Sequence, residues 1–315
     1  MGKNSEKHDE ITIADTVIRK NQVEKNRMVM VRIPDKEIKK IQNIGLEMAL
    51  VFDDFCRKHG LTYFLCGGCC IGTQRGGVFI PWDDDVDVFM PREDYEKLKT
   101  LWRDTDRYEI QFSTKEYQNY SPFLTICDKT TTFIKTYRKD MDVSHGVALD
   151  VLPLDGCPTG WRRKAQKLWA LLYSLFIVGK APENHGKIVY WGGKTLLTLV
   201  KPESLRYRLW RFCEKKMSRY PISECDYITE LCSGPHYMQK EYPKEIFSSA
   251  IRVPFEGHEL PIPVGYDTYL KMAFGDYMQL PPEEKRVCHH EFEMMDMENS
   301  YKIYKGVKYC VKENA

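Results

Sequence analysis

The sequence predicts an α/β (α+β) chain in which a mixed sheet forms the core and helices are added to it. Three observations carry this. Residues 61–91 read as strand, glycine turn, short helix and second strand in close succession; a helix and four further short strands follow to about residue 156; beyond Cys157 the pattern changes to long helical segments. With 315 residues and 43% hydrophobic content, one large domain or two small ones can bury a core.

Residues 1–35 are polar and irregular and are taken as an N-terminal arm, with an apolar alternation at 28–33 that suits an edge strand. From Pro34 a helical stripe runs through Ile38, Ile41, Ile44, Met48, Phe52 and Phe55 until Gly60 ends it. "LTYFLCGG" reads as a buried strand entering a glycine turn, and "CCIGTQR" as a short helix closed by Gly76 and Gly77. After Met90, "PREDYEKLKTLWRD" places Pro at a helix start, acids in its first turn and Tyr95 and Leu98 toward the core. Strands are expected near 108–112, 123–127, from Thr131 and from His145. These define a core over 36–156, with a helical and loop-rich elaboration over 157–315 that completes the acceptor site.

Four aspartates fall in five positions, Asp83, Asp84, Asp85 and Asp87. As part of a strand, the period of two puts Asp85 and Asp87 on one face, between Val86, Val88 and Phe89. Two carboxylates that close repel, and burial protonates one of them unless a cation lies between. With oxygen ligands and no adjacent His or Cys, the expected ion is Mg²⁺ or Mn²⁺. Asp150, embedded in "VALDVL", needs a partner too, and the same site supplies it. Asp83 and Asp84 read equally well as a solvated acidic face. An EF-hand is excluded, because Val88 and Asp94 stand where the loop requires Gly and Glu.

The glycine turn offers the other half of a phosphate site. Gly67 and Gly68 let backbone N–H groups approach an anion at a helix start, and Arg75 adds a fork of donors.

Forty-seven Lys and Arg against forty-five Asp and Glu give net +2, so no global field favours nucleic acid, and none is expected as partner. Eleven cysteines, an odd number, suit buried thiols in a reducing compartment better than a disulfide framework; a zinc site from Cys213, Cys225, Cys232 and Cys288 lacks a tight CxxC pair. No signal peptide is read at "MGKNSEKHDE", so a cytoplasmic location is expected. The apolar run at 168–178 is too short to span a bilayer and reads first as a buried helix. Its second reading, with Lys167, Lys180, Lys187 and Lys194 alongside, is a peripheral contact with the inner face of a membrane or a lipid-linked acceptor.

The stretches "GCCIGTQRGGVFIPWDDDVDVFMPREDYEKL", "HGVALDVLPLDG" and "GYDTYLKMAFGDYMQLPPEEKRVCHH" together resemble the LicD family of phosphocholine transferases, related to the fukutin-related sugar phosphotransferases and built on a nucleotidyltransferase-like fold. The resemblance implies metal coordination by Asp85, Asp87 and Asp150, with Asp150 as third ligand or base, and a nucleotide or phosphate loop containing Gly68, Gly72 and Arg75. It implies roles at substrate phosphate for His289 and His290. Departures at Gln74, Gly76 and Val78 bear on donor recognition.

The implied reaction is transfer of phosphocholine, or a related phospho-substituent, from a CDP-choline-like donor to a hydroxyl of a surface glycan such as lipopolysaccharide or teichoic acid, or of its lipid-linked precursor, with release of CMP. Aromatic faces recognise a quaternary ammonium, and Trp82 beside the aspartates is the first candidate. The alternatives are a nucleotidyltransferase that moves NMP from an NTP to a small-molecule or sugar acceptor, and an inactive nucleotide-binding scaffold.

Overall fold

A computed structural model describes residues 35–182, 186–288 and 290–311. The expected arm and its strand at 28–33 lie outside the described residues, as does His289.

Helix α1 (Asp35–His59) buries Ile38, Ile41, Met48 and Phe52 on one stripe and stops at Gly60, whose φ of +63° is a left-handed conformation that glycine adopts without strain. Strand β1 (Phe64–Leu65) leads directly into α2 (Gly67–Gln74). Then come β2 (Val86–Pro91) and α3 (Arg92–Leu101), which carries Glu93 and Asp94 in its first turn. Strands β3 (Tyr108–Gln111), β4 (Leu124–Asp128), β5 (Thr132–Lys135) and β6 (Ala148–Cys157) complete the part expected to be the core.

The main sheet has the order β1-β2-β6-β4-β3. Its central pair, β2 and β6, is parallel and the pairs flanking it are antiparallel, which makes the sheet mixed, as expected. One face of β2 lies against α1, where a Cβ on Gly45 would come within 2.9 Å of Val86. That contact leaves the other face, bearing Asp87 and Phe89, for the site.

Helices α4 (Gly160–Val178), α5 (Lys187–Leu199) and α6 (Glu203–Met217) form the expected helical segment. Tyr173, Phe176, Trp210 and Met217 give it a core of its own. The 168–178 run is only half buried, since Leu168 and Leu171 are exposed.

The remainder joins the first core. Strand β7 (Tyr227–Glu230) pairs with the end of β6, β8 (Tyr242–Pro243) pairs with β7, and the hairpin β9 (Ala250–Phe255) and β10 (His258–Pro263) leads into α7 (Tyr266–Phe274). Tyr242, Phe247 and Tyr269 pack edge to face around Phe89 and Phe64, so residues far apart in sequence share one aromatic cluster beneath the aspartate strand. Strand β11 (Phe292–Asp296) pairs antiparallel with β5.

Candidate functional site

Asp87 on β2 and Asp150 on β6 are Cα partners, and Thr125 on β4 is the next partner in the row. Laterally paired residues project to the same face, so one row across three strands reads Asp87, Asp150, Thr125. Asp85 immediately precedes β2 and keeps the alternation: Val86 and Val88 are buried, while Asp85 and Asp87 are half-buried on the site face.

Asp83 and Asp84 are not a solvated face. They are 8% and 3% exposed. The reason is the glycine turn: a Cβ on Gly68 would stand 1.9 Å from Asp83 Oδ2, and one on Gly67 would stand 3.7 Å from Asp87 Oδ2. The bare α-carbon of Gly68 thus makes the space that the Asp83 carboxylate fills, while Gly67 is only in ordinary contact range of Asp87, at the positive end of α2. The Gly67 N–H is already used, donating to the Tyr269 hydroxyl at 3.1 Å.

Asp84 is held from the far end of the chain. His290 Nδ1 lies 3.0 Å from Asp84 Oδ2, and His290 Nε2 lies 3.2 Å from Lys135 Nζ. Both contacts are satisfied when Nδ1–H donates to the carboxylate and Nε2 accepts from the ammonium. Lys135 was not foreseen. It ends an ordinary-looking strand, and its place at the site is set by the β5–β11 pairing that also brings in His290.

The electrostatics follow from the crowding. Burial, with Asp85 and Asp150 adding repulsion, drives the Asp87 carboxyl well above its ordinary range. Burial and then Asp85 and Asp84 do the same to Asp83, and burial and then Asp84 raise Asp85, against the pull of Lys135. For Asp84 burial pushes upward, but the hydrogen bond from His290, helped by Cys288 and Lys135, outweighs it and holds the group low. Burial lowers the Lys135 ammonium, yet Tyr137, Asp150, Asp85 and Asp84 more than restore it, so it stays charged.

These residues suit a hard divalent cation. Asp83 Oδ2 and Asp84 Oδ1 are buried oxygens with no hydrogen-bond partner, and a buried carboxylate oxygen with no donor calls for one. The ligand atoms of Asp84, Asp85 and His290 already lie within 4.8 Å of one another. That grouping overlaps the expected set of Asp85, Asp87 and Asp150 at Asp85 and extends the acidic cluster toward His290. Oxygen donors with one imidazole and no thiolate fit Mg²⁺ or Mn²⁺. Among the described residues Cys213, Cys225, Cys232 and Cys288 form no such group, and all are free thiols.

Other expected residues have different employment. The Arg75 guanidinium donates to the backbone carbonyls of Tyr277 and Gln279, tying α2 to the loop after α7. Gly72 is a packing position, where a Cβ would stand 2.3 Å from the Val78 carbonyl. Trp82 lies beside Arg286, whose guanidinium is 5.9 Å from the ring centre, in a cavity that also contains Gln42, Phe79 and Cys288. Arg92, for which the sequence suggests no site role, grips Asp155 at 2.8 and 2.7 Å in the interior.

A cavity of about 260 Å³ opens beside Asp150. Tyr120, Phe123, Phe133 and Tyr137 line it together with Lys135 and Lys180. Aromatic faces and cations therefore meet next to the carboxylate row, the composition that a phosphate ester with a bulky substituent requires.

Residues 60–153, the span from β1 through the first half of β6, match the family described as LicD/FKTN/FKRP, nucleotidyltransferase domain. Over 267 residues, 79% of this chain and 94% of the relative, the sequence is 29% identical to the lipopolysaccharide cholinephosphotransferase LicD of Haemophilus influenzae.

Proposed function

We propose, from the premise that the chain is a LicD-type enzyme, that it moves phosphocholine from CDP-choline to a hydroxyl of a surface glycan or its lipid-linked precursor. The observation that carries the reading is the carboxylate row. Asp87 and Asp150 face each other in register, with Asp85 beside them and unsatisfied oxygens on Asp83 and Asp84, next to an aromatic and cationic cavity.

Asp85, Asp87 and Asp150 would hold Mg²⁺ or Mn²⁺, with Asp84 and His290 grouped beside Asp85, and the ion would supply neutralisation of the donor's diphosphate. Asp150 lies where the row meets the cavity, and it accepts the proton of the acceptor hydroxyl as that oxygen bonds to the phosphorus bearing choline. The bond from that phosphorus to the CMP oxygen breaks, and CMP leaves as the anion. Lys135, kept charged by its carboxylate neighbours, donates to a phosphoryl oxygen and offsets charge in the transition state. His290 orients Lys135 and Asp84. Tyr120, Phe123 and Tyr137 offer faces to the trimethylammonium group in the cavity beside Asp150, whereas Trp82 faces Arg286 in a separate cavity.

The test is incubation with Mg²⁺, labelled CDP-choline and an oligosaccharide acceptor, beside parallel reactions with NTPs. CMP release with label on the glycan supports the reading. Pyrophosphate release from an NTP, with CDP-choline untouched, replaces it with nucleotidyl transfer.

A further inference from the structure

The whole chain is nearly neutral, but residues 157–220 contain fourteen Lys and Arg against three Glu and no Asp. Only Lys180 of this charge lies in the cavity beside Asp150. Two of the three acids have ion-pair partners within the segment, Glu203 with Arg206 and Glu214 with Arg211. Among the described residues, Lys164, Lys187, Lys194, Lys201 and Arg208 have no carboxylate within 4.0 Å.

Large apolar side chains stand among these cations. On α4, Trp161 is 74% and Leu168 53% exposed, two turns apart on one stripe with Lys164 between them. Helix α5 continues the stripe: Gly193 packs on Leu175 of α4, where a Cβ would lie 3.3 Å away. Its other side presents Trp191 at 58% and Leu199 at 72% exposure. Lys194 lies 5.1 Å from the Trp191 ring centre. Exposed Trp and Leu interleaved with unpaired lysines match the boundary between acyl chains and anionic headgroups, and neither a nucleic acid nor an acidic protein surface accounts for the leucines. Among the described residues no helix is long and apolar enough to cross a membrane, so such a face would lie on the bilayer.

The position of this face relative to the site gives it a purpose. Lys180, just past the end of α4, lines the cavity that contains Asp150 and also lines an open groove with Lys194 and Lys201. We propose that α4 and α5 form a peripheral docking face for a bilayer containing anionic lipids. Trp161, Leu168, Trp191 and Leu199 enter the headgroup boundary, and Lys194 and Lys201 contact lipid phosphates. The groove from Lys201 to Lys180 then leads from the membrane surface to the catalytic cavity. This assignment holds whichever phospho-substituent is transferred.

The full chain is sedimented with vesicles of phosphatidylcholine alone and of phosphatidylcholine mixed with phosphatidylglycerol. Partitioning onto the anionic vesicles is expected to be at least about tenfold stronger and to weaken as salt is raised. The triple variant Trp161→Ser/Trp191→Ser/Leu199→Ser loses more than about tenfold of that partitioning. Its thermal melt and its CMP release with a soluble acceptor are unchanged. Equal partitioning by the triple variant, no preference for anionic vesicles, or a solution dimer that the triple variant dissociates would each overturn the assignment. In the last case the face is an interface between copies.

Discussion

Asp87 and Asp150 stand opposite each other in the register of two parallel strands, and Asp150 raises the cost of charge on Asp87. A neutral isostere at one of them should separate catalysis from stability. Asp87→Asn is expected to lower transfer by at least about 10²–10³-fold. In chelator it raises stability by about 1 kcal/mol, because a repulsive buried charge is gone. Initial rates and urea midpoints in EDTA check both halves, and substantial residual activity removes Asp87 from the site.

Lys135 places its charge in the field of Asp150, Asp85 and Asp84, and would oppose a cation held by them. Lys135→Met should therefore tighten Mn²⁺ binding about 3–10-fold while slowing turnover about 10²-fold. Titration of Mn²⁺ by electron paramagnetic resonance, beside steady-state rates, reads both effects. A parallel loss of metal affinity and rate would mean that Lys135 only shapes the site.

The Gly68 α-carbon leaves the space that the Asp83 carboxylate fills. Gly68→Ala should cost about 1–3 kcal/mol, and the double variant Gly68→Ala/Asp83→Ala should recover most of it. Gly192→Ala, on α5 with nothing near its Cβ position, serves as control and should be neutral or slightly stabilising. Chemical denaturation of these three variants, of Asp83→Ala and of the parent measures the coupling.

His145 is 2% exposed, with Nε2 3.1 Å from the Met141 carbonyl and its ring 4.3 Å from that of Tyr309. Burial, only partly countered by that hydrogen bond, holds its imidazolium at about 4 against 6.5 in the unfolded chain. A basic group lowered on folding gains its proton first in the unfolded state. His145 therefore contributes nothing above about pH 6.5 and destabilises progressively as pH falls from there toward 4. Between pH 7 and pH 5, His145→Gln should lose roughly 2 kcal/mol less stability than the parent. Equal losses in guanidinium melts at the two pH values would show that His145 carries its charge in the folded state.

Much of the site was legible because its residues break a local pattern. Asp85, Asp87 and Asp150 are carboxylates within apolar alternation, and that contradiction points to a ligand wherever the strands pair. The helix stripe from Ile38 to Phe52 and the Pro91 start of α3 were legible for the same local reason. What escaped was decided at a distance. Asp83 and Asp84 sit in no alternation, and only the fold reveals that Gly68 and His290 bury them. Arg75 has the sequence of a phosphate ligand, but carbonyls more than two hundred residues away take its donors. Lys135 gave no signal, since a lysine at a strand end is ordinary until β11 fixes what lies beside it.

His290 meets Asp84 across 206 positions, and Tyr269 meets Gly67 across 202. A polypeptide emerging from the ribosome makes its glycine turn and aspartates early, while the groups that order them arrive near the end of synthesis. Throughout elongation the carboxylates remain together in water without their imidazole. Catalytic competence is thus a late event in the chain's synthesis, and a premature stop between α7 and β11 would release a sheet whose acids have never met that hydrogen-bond donor.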